Sequence, residues 1–488
     1  MDALVSVGAA GATWLCIREA GRGDAIPASL LIVASLVSLV VFRPRGALIL
    51  AFAISCSTID PTGFALTFAG VRTDLGELVW FSLIAWWVMR RSRPPMPPTA
   101  MPLILLVFGA ILGGAYGLLS HADRQTVQGE LKAYLVYLAV LPLGLFFAYE
   151  AGARRLERWV LRLCTVTGVW LIVAATTHLL PVSSPKPYLQ VLGQAYEGER
   201  LRTANLQITL VATLLLVGRS LVLGWTRGRL AQLAIFATVI LLSYNRSDWA
   251  PLVLTLTALL VLRPGTRVPL RTTKGILIGV VAVALLGGAA QAGAFGPTGK
   301  SLIARMESIL SPRITKDPSY TDRQQEVPLA EKAIERSPVV GVGLGGYYGA
   351  ERPVYDAFRN RVLQEPRFFT HNGFLFVWLQ TGIVGVLALI WLGVATTKQL
   401  VRARAELEAE SAVRVIAGGL GVLTLGLAGL LNTSVLDRGA IIALLVATVL
   451  ASVPAESSAQ KTAELSTPAH DLSPHPRRVH AVEVQHQL

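Results

Sequence analysis

Long apolar runs alternate with short polar breaks along most of the chain. AMPLILLVFGAILGGAYGLL (100–119) and GILIGVVAVALLGGAAQAGAF (275–295) carry no charged residue and match the ~20 residues that cross ~30 Å of hydrocarbon as a helix. Lipid offers the backbone no hydrogen-bond partner, so unbroken runs of this kind predict helices. About fourteen such segments can be read. They begin near Ala3, Ile26, Gly46, Leu75, Ala100, Leu131, Trp159, Leu206, Leu230, Trp249, Gly275, Gly373, Val413 and Gly439. The predicted fold class is all-α. It is a polytopic transmembrane helical bundle of about 12–14 spans, with one large extracytoplasmic loop containing short helices. Residues 1–295 are read as N-terminal transmembrane helices, 296–371 as the loop, 372–453 as C-terminal transmembrane helices and 454–488 as a disordered cytoplasmic tail.

The polar breaks set the orientation. RPR (43–45), RRSR (90–93), ARRLER (153–158), TRGR (226–229), RPGTRVPLRTTK (263–274) and KQLVRAR (398–404) are basic and fall at every second loop. The loops between them, such as SHADRQTVQGE, NRSDW and NTSVLDRG, carry few positive charges. Excess Lys and Arg mark cytoplasmic loops, which puts both termini inside and the 296–371 loop outside. Within that loop, SYTDRQQEVPLAEKAIERSP predicts a helix. Thr321 and Gln324 have capping-box spacing, and Arg323, Val327, Ala330 and Ile334 share a face. Pro328 predicts either a kink or a helix whose regular part begins there.

Composition agrees with a membrane protein. Hydrophobic residues make up 53% of the chain and charged ones 15%, more apolar sequence than a soluble core requires. The net charge of +14 then reflects cytoplasmic loops, and nucleic acid is not an expected partner. The three cysteines, Cys16, Cys56 and Cys164, all sit in apolar runs and read as small core residues. The start MDALVSVG lacks a basic n-region, so the first segment is expected to remain in place.

Ionisable groups at membrane depth default to functional candidates. Arg202, Arg246, Arg323 and Arg438 fall on the outer side, against the positive-inside bias. Pairing with neighbouring acids is the plain reading: Asp248 for Arg246, Asp322 for Arg323, Asp437 for Arg438. Together they suggest an anion site, because guanidinium holds phosphate oxygens through paired hydrogen bonds. His371 stands where the loop meets an apolar run, in RFFTHNGFLFVWLQTGIVG, with Asn372 beside it. There a neutral imidazole could take a proton from a hydroxyl, and Asn372 could orient it or bind a substrate oxygen. His121 and His178 are the rivals. SPVVGVGLGGYYG (337–349) lacks dinucleotide-fingerprint spacing, so its glycines are read as permitting tight turns against neighbouring helices. No HExxH, GxSxG, Walker A or DxD pattern is present.

Several stretches resemble the O-antigen ligase/polymerase family. SYNRSDW is similar to its Ser-Arg-rich stretch at the outer end of a span. TDRQQEVPLAEKAIERSPVVGVGLGGYY resembles its Arg-helix-Pro-x-x-Gly-x-Gly block, and THNGFLFVWLQTGIVGVL its His-Asn block. RLRTANLQITL resembles an Arg…Asn stretch before an earlier span. The resemblance covers about Arg200 to Gly385. An aromatic that often follows the loop arginine is replaced here by QQEV.

The resemblance implies an enzyme of the bacterial cytoplasmic (inner) membrane with its active site on the extracytoplasmic side. It would move a glycan from a polyprenyl-pyrophosphate carrier to an acceptor hydroxyl on a glycan or lipid-linked acceptor, without metal or other cofactor and among membrane lipids. It implies Arg246 and Arg323 on the pyrophosphate, Arg202 as a further phosphate contact, and His371 on the acceptor hydroxyl. A lipid-linked glycan flippase and a non-catalytic envelope-synthesis scaffold are the alternatives. A flippase should show paired broken helices from internal repeats, which the sequence does not display.

Overall fold

The computed structural model describes residues 36, 38–55, 66–68, 71–73, 75–90, 96–147, 149–177, 188–191, 194–197, 206–243, 245–262, 318–356, 361–367, 370–431 and 438–452. The expected spans near Ala3 and Gly275, most of the one near Ile26, the 454–488 tail, Arg202, His178, Cys16 and Cys56 lie outside the described residues.

In chain order the helices are α1 (Pro44–Ser55), α2 (Leu75–Met89), α3 (Ala100–Leu119) and α4 (Arg124–Leu135). A turn of 3-10 helix (Val136–Ala139) leads from α4 into α5 (Val140–Phe147). There follow α6 (Glu150–Thr177), α7 (Leu206–Leu223), α8 (Arg227–Leu242), α9 (Arg246–Leu262), α10 (Pro318–Arg336), α11 (Gly373–Glu406), α12 (Ala409–Leu431) and α13 (Arg438–Leu450). Among the described residues, five segments are long and apolar enough to cross a membrane: Ala100–Leu119, Arg124–Phe147, Leu206–Leu223, Gly373–Glu406 and Ala409–Leu430.

The fold is a helical bundle, as the hydropathy pattern predicts. Among the described residues, three short antiparallel ribbons are added in its connections: β1–β2 (Leu66–Phe68, Val71–Thr73), β3–β4 (Tyr188–Val191, Gln194–Glu197) and β5–β6 (Gly349–Asp356, Arg361–Arg367). Among the described residues between Pro318 and Asn372 are the helix that SYTDRQQEVPLAEKAIERSP predicted and a hairpin that the sequence did not predict.

Helix α12 packs against α7, α9, α11 and α13. Gly218 of α7 lies against Val413, and Gly421 of α12 against Val211, so these two helices run antiparallel. The connections at 224–226, 243–245, 407–408 and 432–437 are short. It follows that the N-termini of α7, α9, α11 and α13 share one end of the bundle. The opposite end is stapled by charge. Arg414, whose side chain is 2% exposed, bonds Glu150 at 2.7 Å and Glu157 at 3.2 Å, and Arg219 reaches Glu157 at 3.4 Å. This joins α6, α7 and α12 while leaving no buried carboxylate unpaired at their contact. Leu387, Ile390, Trp391, Val394 and Val401 of α11 point outward and exposed, as lipid-facing residues do.

Helix α11 is interrupted. Gly382 has φ +64° and ψ −159°, a conformation open essentially to glycine alone. The backbone groups released there are taken up by the 337–349 loop. The N–H groups of Val342 and Gly343 donate to the Leu379 carbonyl at 2.7 and 3.1 Å, and the Ile383 N–H donates to the Val339 carbonyl at 3.0 Å. On its other side the loop meets α3, where the Leu344 N–H donates to the Gly113 carbonyl at 3.0 Å. Gly117 of α3 lies so close to the Leu344 carbonyl that a Cβ would not fit. The glycines of SPVVGVGLGGYYG thus serve tight turning against helices, as their sequence suggested.

Gly382→Ala combines a forbidden backbone conformation with a clash against the Val339 carbonyl. It should cost at least ~1–3 kcal/mol and lower the thermal unfolding midpoint in detergent. Gly129→Ala, in an exposed helical position with nothing within 4 Å, should stay within ~0.5 kcal/mol of wild type.

Candidate functional site

At the end of the bundle where α11 begins, α10 lies across its first turns. Sequence periodicity explains how α10 docks. Ala330, Ala333 and Ile334 form its buried face and meet Tyr348 and Leu379, with Leu375 and Trp378 alongside. The Trp378 indole N–H donates to the Pro338 carbonyl at 2.9 Å, fixing the end of α10 against α11. Two details differ from the sequence prediction. The helix starts at Pro318, so Thr321 lies inside it instead of capping it. It also continues through Pro328. Proline removes the bond to the carbonyl four residues earlier, but Gln324 and Pro328 are both exposed, so water can reach that carbonyl.

Glu326 sits on the buried face of α10, 1% exposed. Its Oε2 accepts the backbone N–H of His371 at 2.9 Å and lies 2.9 Å from His371 Nδ1. An ionised carboxylate only accepts, so it places the imidazole proton on Nδ1. The His371 side chain keeps 29% exposure while Glu326 has almost none. The carboxylate is therefore shielded and the imidazole accessible.

Asn372 is the N-cap of α11, its Oδ1 accepting the N–H groups of Phe374 at 3.0 Å and Leu375 at 3.2 Å. That carbonyl oxygen is engaged in capping, and the His371 ring is oriented by Glu326. Arg323 lies one turn before Glu326 on α10 and is half-buried, so guanidinium and carboxylate share a helix face. Arg246 is the first residue of α9 and Arg438 the first of α13, both at the His371 end. The side chains of Arg246, Arg438 and Asp322 lie outside the described residues, as does Asp437. The turn carrying Arg246 is built by its neighbours. Asn245 Nδ2 donates to Asp248 at 2.8 Å, Ser247 Oγ donates to Asn245 Oδ1 at 2.7 Å, and the Trp249 indole donates to the Ile240 carbonyl at 3.0 Å. His121 is in an exposed turn between α3 and α4 with φ +61°.

Sequence reasoning passed over Glu326. Its signal was a carboxylate on the stripe that also carries Ala330 and Ala333, where an apolar residue belongs. It also passed over a polar support beneath the loop. Glu130 Oε2 accepts the Gly345 N–H at 2.7 Å and is bonded by Gln380, whose Oε1 accepts the Tyr134 hydroxyl at 2.8 Å. Glu130 and Tyr134 come from α4 and Gln380 from α11, so α4 holds both the loop and the turn of α11 before its break.

A cavity of about 280 Å³ opens directly after the His-Asn pair, at Gly373 and Phe374. It runs between α11, α12 and α13 over apolar walls that include Tyr137, Leu389, Leu423 and Leu444. Among the described residues no group of three or more His, Cys, Asp or Glu is placed to hold a metal ion.

Residues 231–390 match the family model described as O-antigen ligase. No curated protein matches the chain. The matched segment contains Arg246, Arg323, Glu326, His371 and Asn372. It begins after the RLRTANLQITL stretch, so Arg202 lies outside it.

Asn372→Ala leaves two N–H groups of the first turn of α11 uncapped, and should lower stability by ~0.5–2 kcal/mol. Asn372→Ser should recover most of the loss. Thermal unfolding of the two variants side by side checks this.

Proposed function

We propose, from the match of residues 231–390 to the family model described as O-antigen ligase, that the chain transfers a glycan from a polyprenyl-pyrophosphate carrier to an acceptor hydroxyl, with His371 as general base. The observation that carries this reading is the Glu326–His371 pair, two residues before the Gly373 wall of an apolar cavity. The acceptor oxygen bonds to the anomeric carbon of the donor glycan. The bond from that carbon to the pyrophosphate oxygen breaks, and the hydroxyl proton passes to His371 Nε2. The carrier leaves as polyprenyl pyrophosphate.

Each part has a physical rationale. Glu326 fixes the tautomer and stabilises the imidazolium that forms, so no reorganisation is needed when the proton moves. Arg323 and Arg246 stabilise charge on the departing pyrophosphate, and Arg202 is a further phosphate contact in the same reading. The N-terminus of α11, capped by Asn372, adds its partial positive charge beside the reacting groups. The apolar cavity beginning at Gly373 and Phe374 suits the first isoprene units of the carrier, which would present its pyrophosphate near His371. The acceptor arrives from the extracytoplasmic side, which is also the side that the loop charges assign to this end of the bundle.

Transfer is measured with the full-length protein in lipid nanodiscs, a polyprenyl-pyrophosphate glycan and a hydroxyl acceptor. His371→Ala should lower kcat roughly 10²- to 10⁴-fold, the usual contribution of a general base. Glu326→Gln, which keeps shape but can present a donor to Nδ1, should lower kcat with little change in donor KM. Arg323→Gln should act on donor use. Near-normal transfer by His371→Ala would remove the base from the mechanism. Movement of intact donor across the bilayer without cleavage would favour a flippase.

A further inference from the structure

Six arginines meet at the end of the bundle opposite His371. Arg154, Arg155, Arg158 and Arg162 lie on the first half of α6, Arg219 near the end of α7 and Arg229 in the first turn of α8. They line two cavities of about 400 and 250 Å³ that share Arg158 and Arg219 as walls. Glu157 and Glu410 are the acids on those walls among the described residues. Glu157 is already held by Arg414 and Arg219, and Arg154 pairs with Glu150 at 3.4 Å. Arg155, Arg158, Arg162 and Arg229 form no ion pair among the described residues. Arg219 Nε is buried there without a hydrogen-bond partner among the described residues.

Positive-inside bias accounts for each basic stretch separately. It does not account for two stretches, more than sixty residues apart, converging on shared cavities. Like charges gathered so closely repel each other, and an anion between them would relieve that repulsion.

Helix α6 indicates which kind of anion. Exposed Arg158 and Arg162 continue at four-residue steps into Val166 and Trp170 on the same face. Val166 is 68% exposed, and Val169, Trp170 and Val173 are exposed around it. A guanidinium pair thus stands at the foot of an outward apolar stripe on a membrane helix. That arrangement matches one molecule with a phosphate at its head and acyl chains above. We propose that the two cavities form a binding site for the headgroup of an anionic phospholipid, its phosphate oxygens held by Arg158, Arg162, Arg219 and Arg229 and its acyl chains lying along Val166 to Val173. The site is independent of the transfer chemistry proposed above and lies at the face that the basic loops assign to the cytoplasm.

Full-length protein in neutral detergent is titrated separately with cardiolipin, phosphatidylglycerol, phosphatidylcholine and inorganic pyrophosphate, following the unfolding midpoint by tryptophan fluorescence. Cardiolipin and phosphatidylglycerol should raise the midpoint saturably, and phosphatidylcholine should not. The double variant Arg158→Gln/Arg162→Gln should bind roughly 30-fold more weakly, from the loss of two guanidinium contacts. Arg402→Gln, an exposed arginine of α11 outside these cavities, should bind as wild type does. An equal shift with phosphatidylcholine, or undiminished affinity in the double variant, overturns the proposal. A pyrophosphate effect equal to that of the lipids replaces the lipid with a free anion and overturns it as well. Native mass spectrometry of the unsubstituted protein gives a second readout if the double variant does not fold. Anionic lipid retained in preference to zwitterionic lipid supports the site, and no preference overturns it.

Discussion

The docking of one loop into one broken helix holds the His371 end of this molecule together. Gly382 opens α11, and three backbone hydrogen bonds between the 337–349 loop and residues 379–383 close the gap. Backbone groups left unsatisfied at membrane depth cost several kcal/mol each, so neither the break nor the loop is stable without the other. The pairing also fixes the end of α10 on the start of α11. Glu326 reaches His371 because Pro338 is bonded to Trp378 and Val342 to Leu379. Glu130 and Gln380 extend the same support into α4.

The two ends of the bundle use charge in different ways. At the arginine-rich end, Glu150 and Glu157 pair with buried Arg414 and hold three helices together, while other arginines line open cavities. At the other end a single buried carboxylate is spent on one histidine. In the proposed reading, the first arrangement is a surface for anions and the second a directed proton acceptor.

The sequence revealed what depends on short-range pattern. Hydropathy runs predicted the helices, and the glycine spacing of SPVVGVGLGGYYG predicted tight turns. His371 and Asn372 stood out as polar residues at the lip of an apolar run. What the sequence hid depends on contacts between distant segments. Glu326 and His371 are separated by 45 residues, and Glu130 and Gly345 by 215, so no local pattern joins them. Pro328 suggested a kink because sequence alone does not show that its turn faces water. The β5–β6 hairpin has no strong turn signal in its sequence. The arginines of ARRLER and TRGR were legible as topology but not as neighbours, since only the packing of α6, α7 and α8 brings them together.

The break at Gly382 also divides α11 mechanically. Its first two turns, after His371 and Asn372, are fastened to α10 and the glycine loop, while the longer remainder belongs to the rod of packed helices. A membrane-embedded rod tilts and shifts with the thickness and tension of the bilayer around it. Here such movement meets a glycine joint before it reaches the histidine. The imidazole and its carboxylate lie together on the α10 side of that joint.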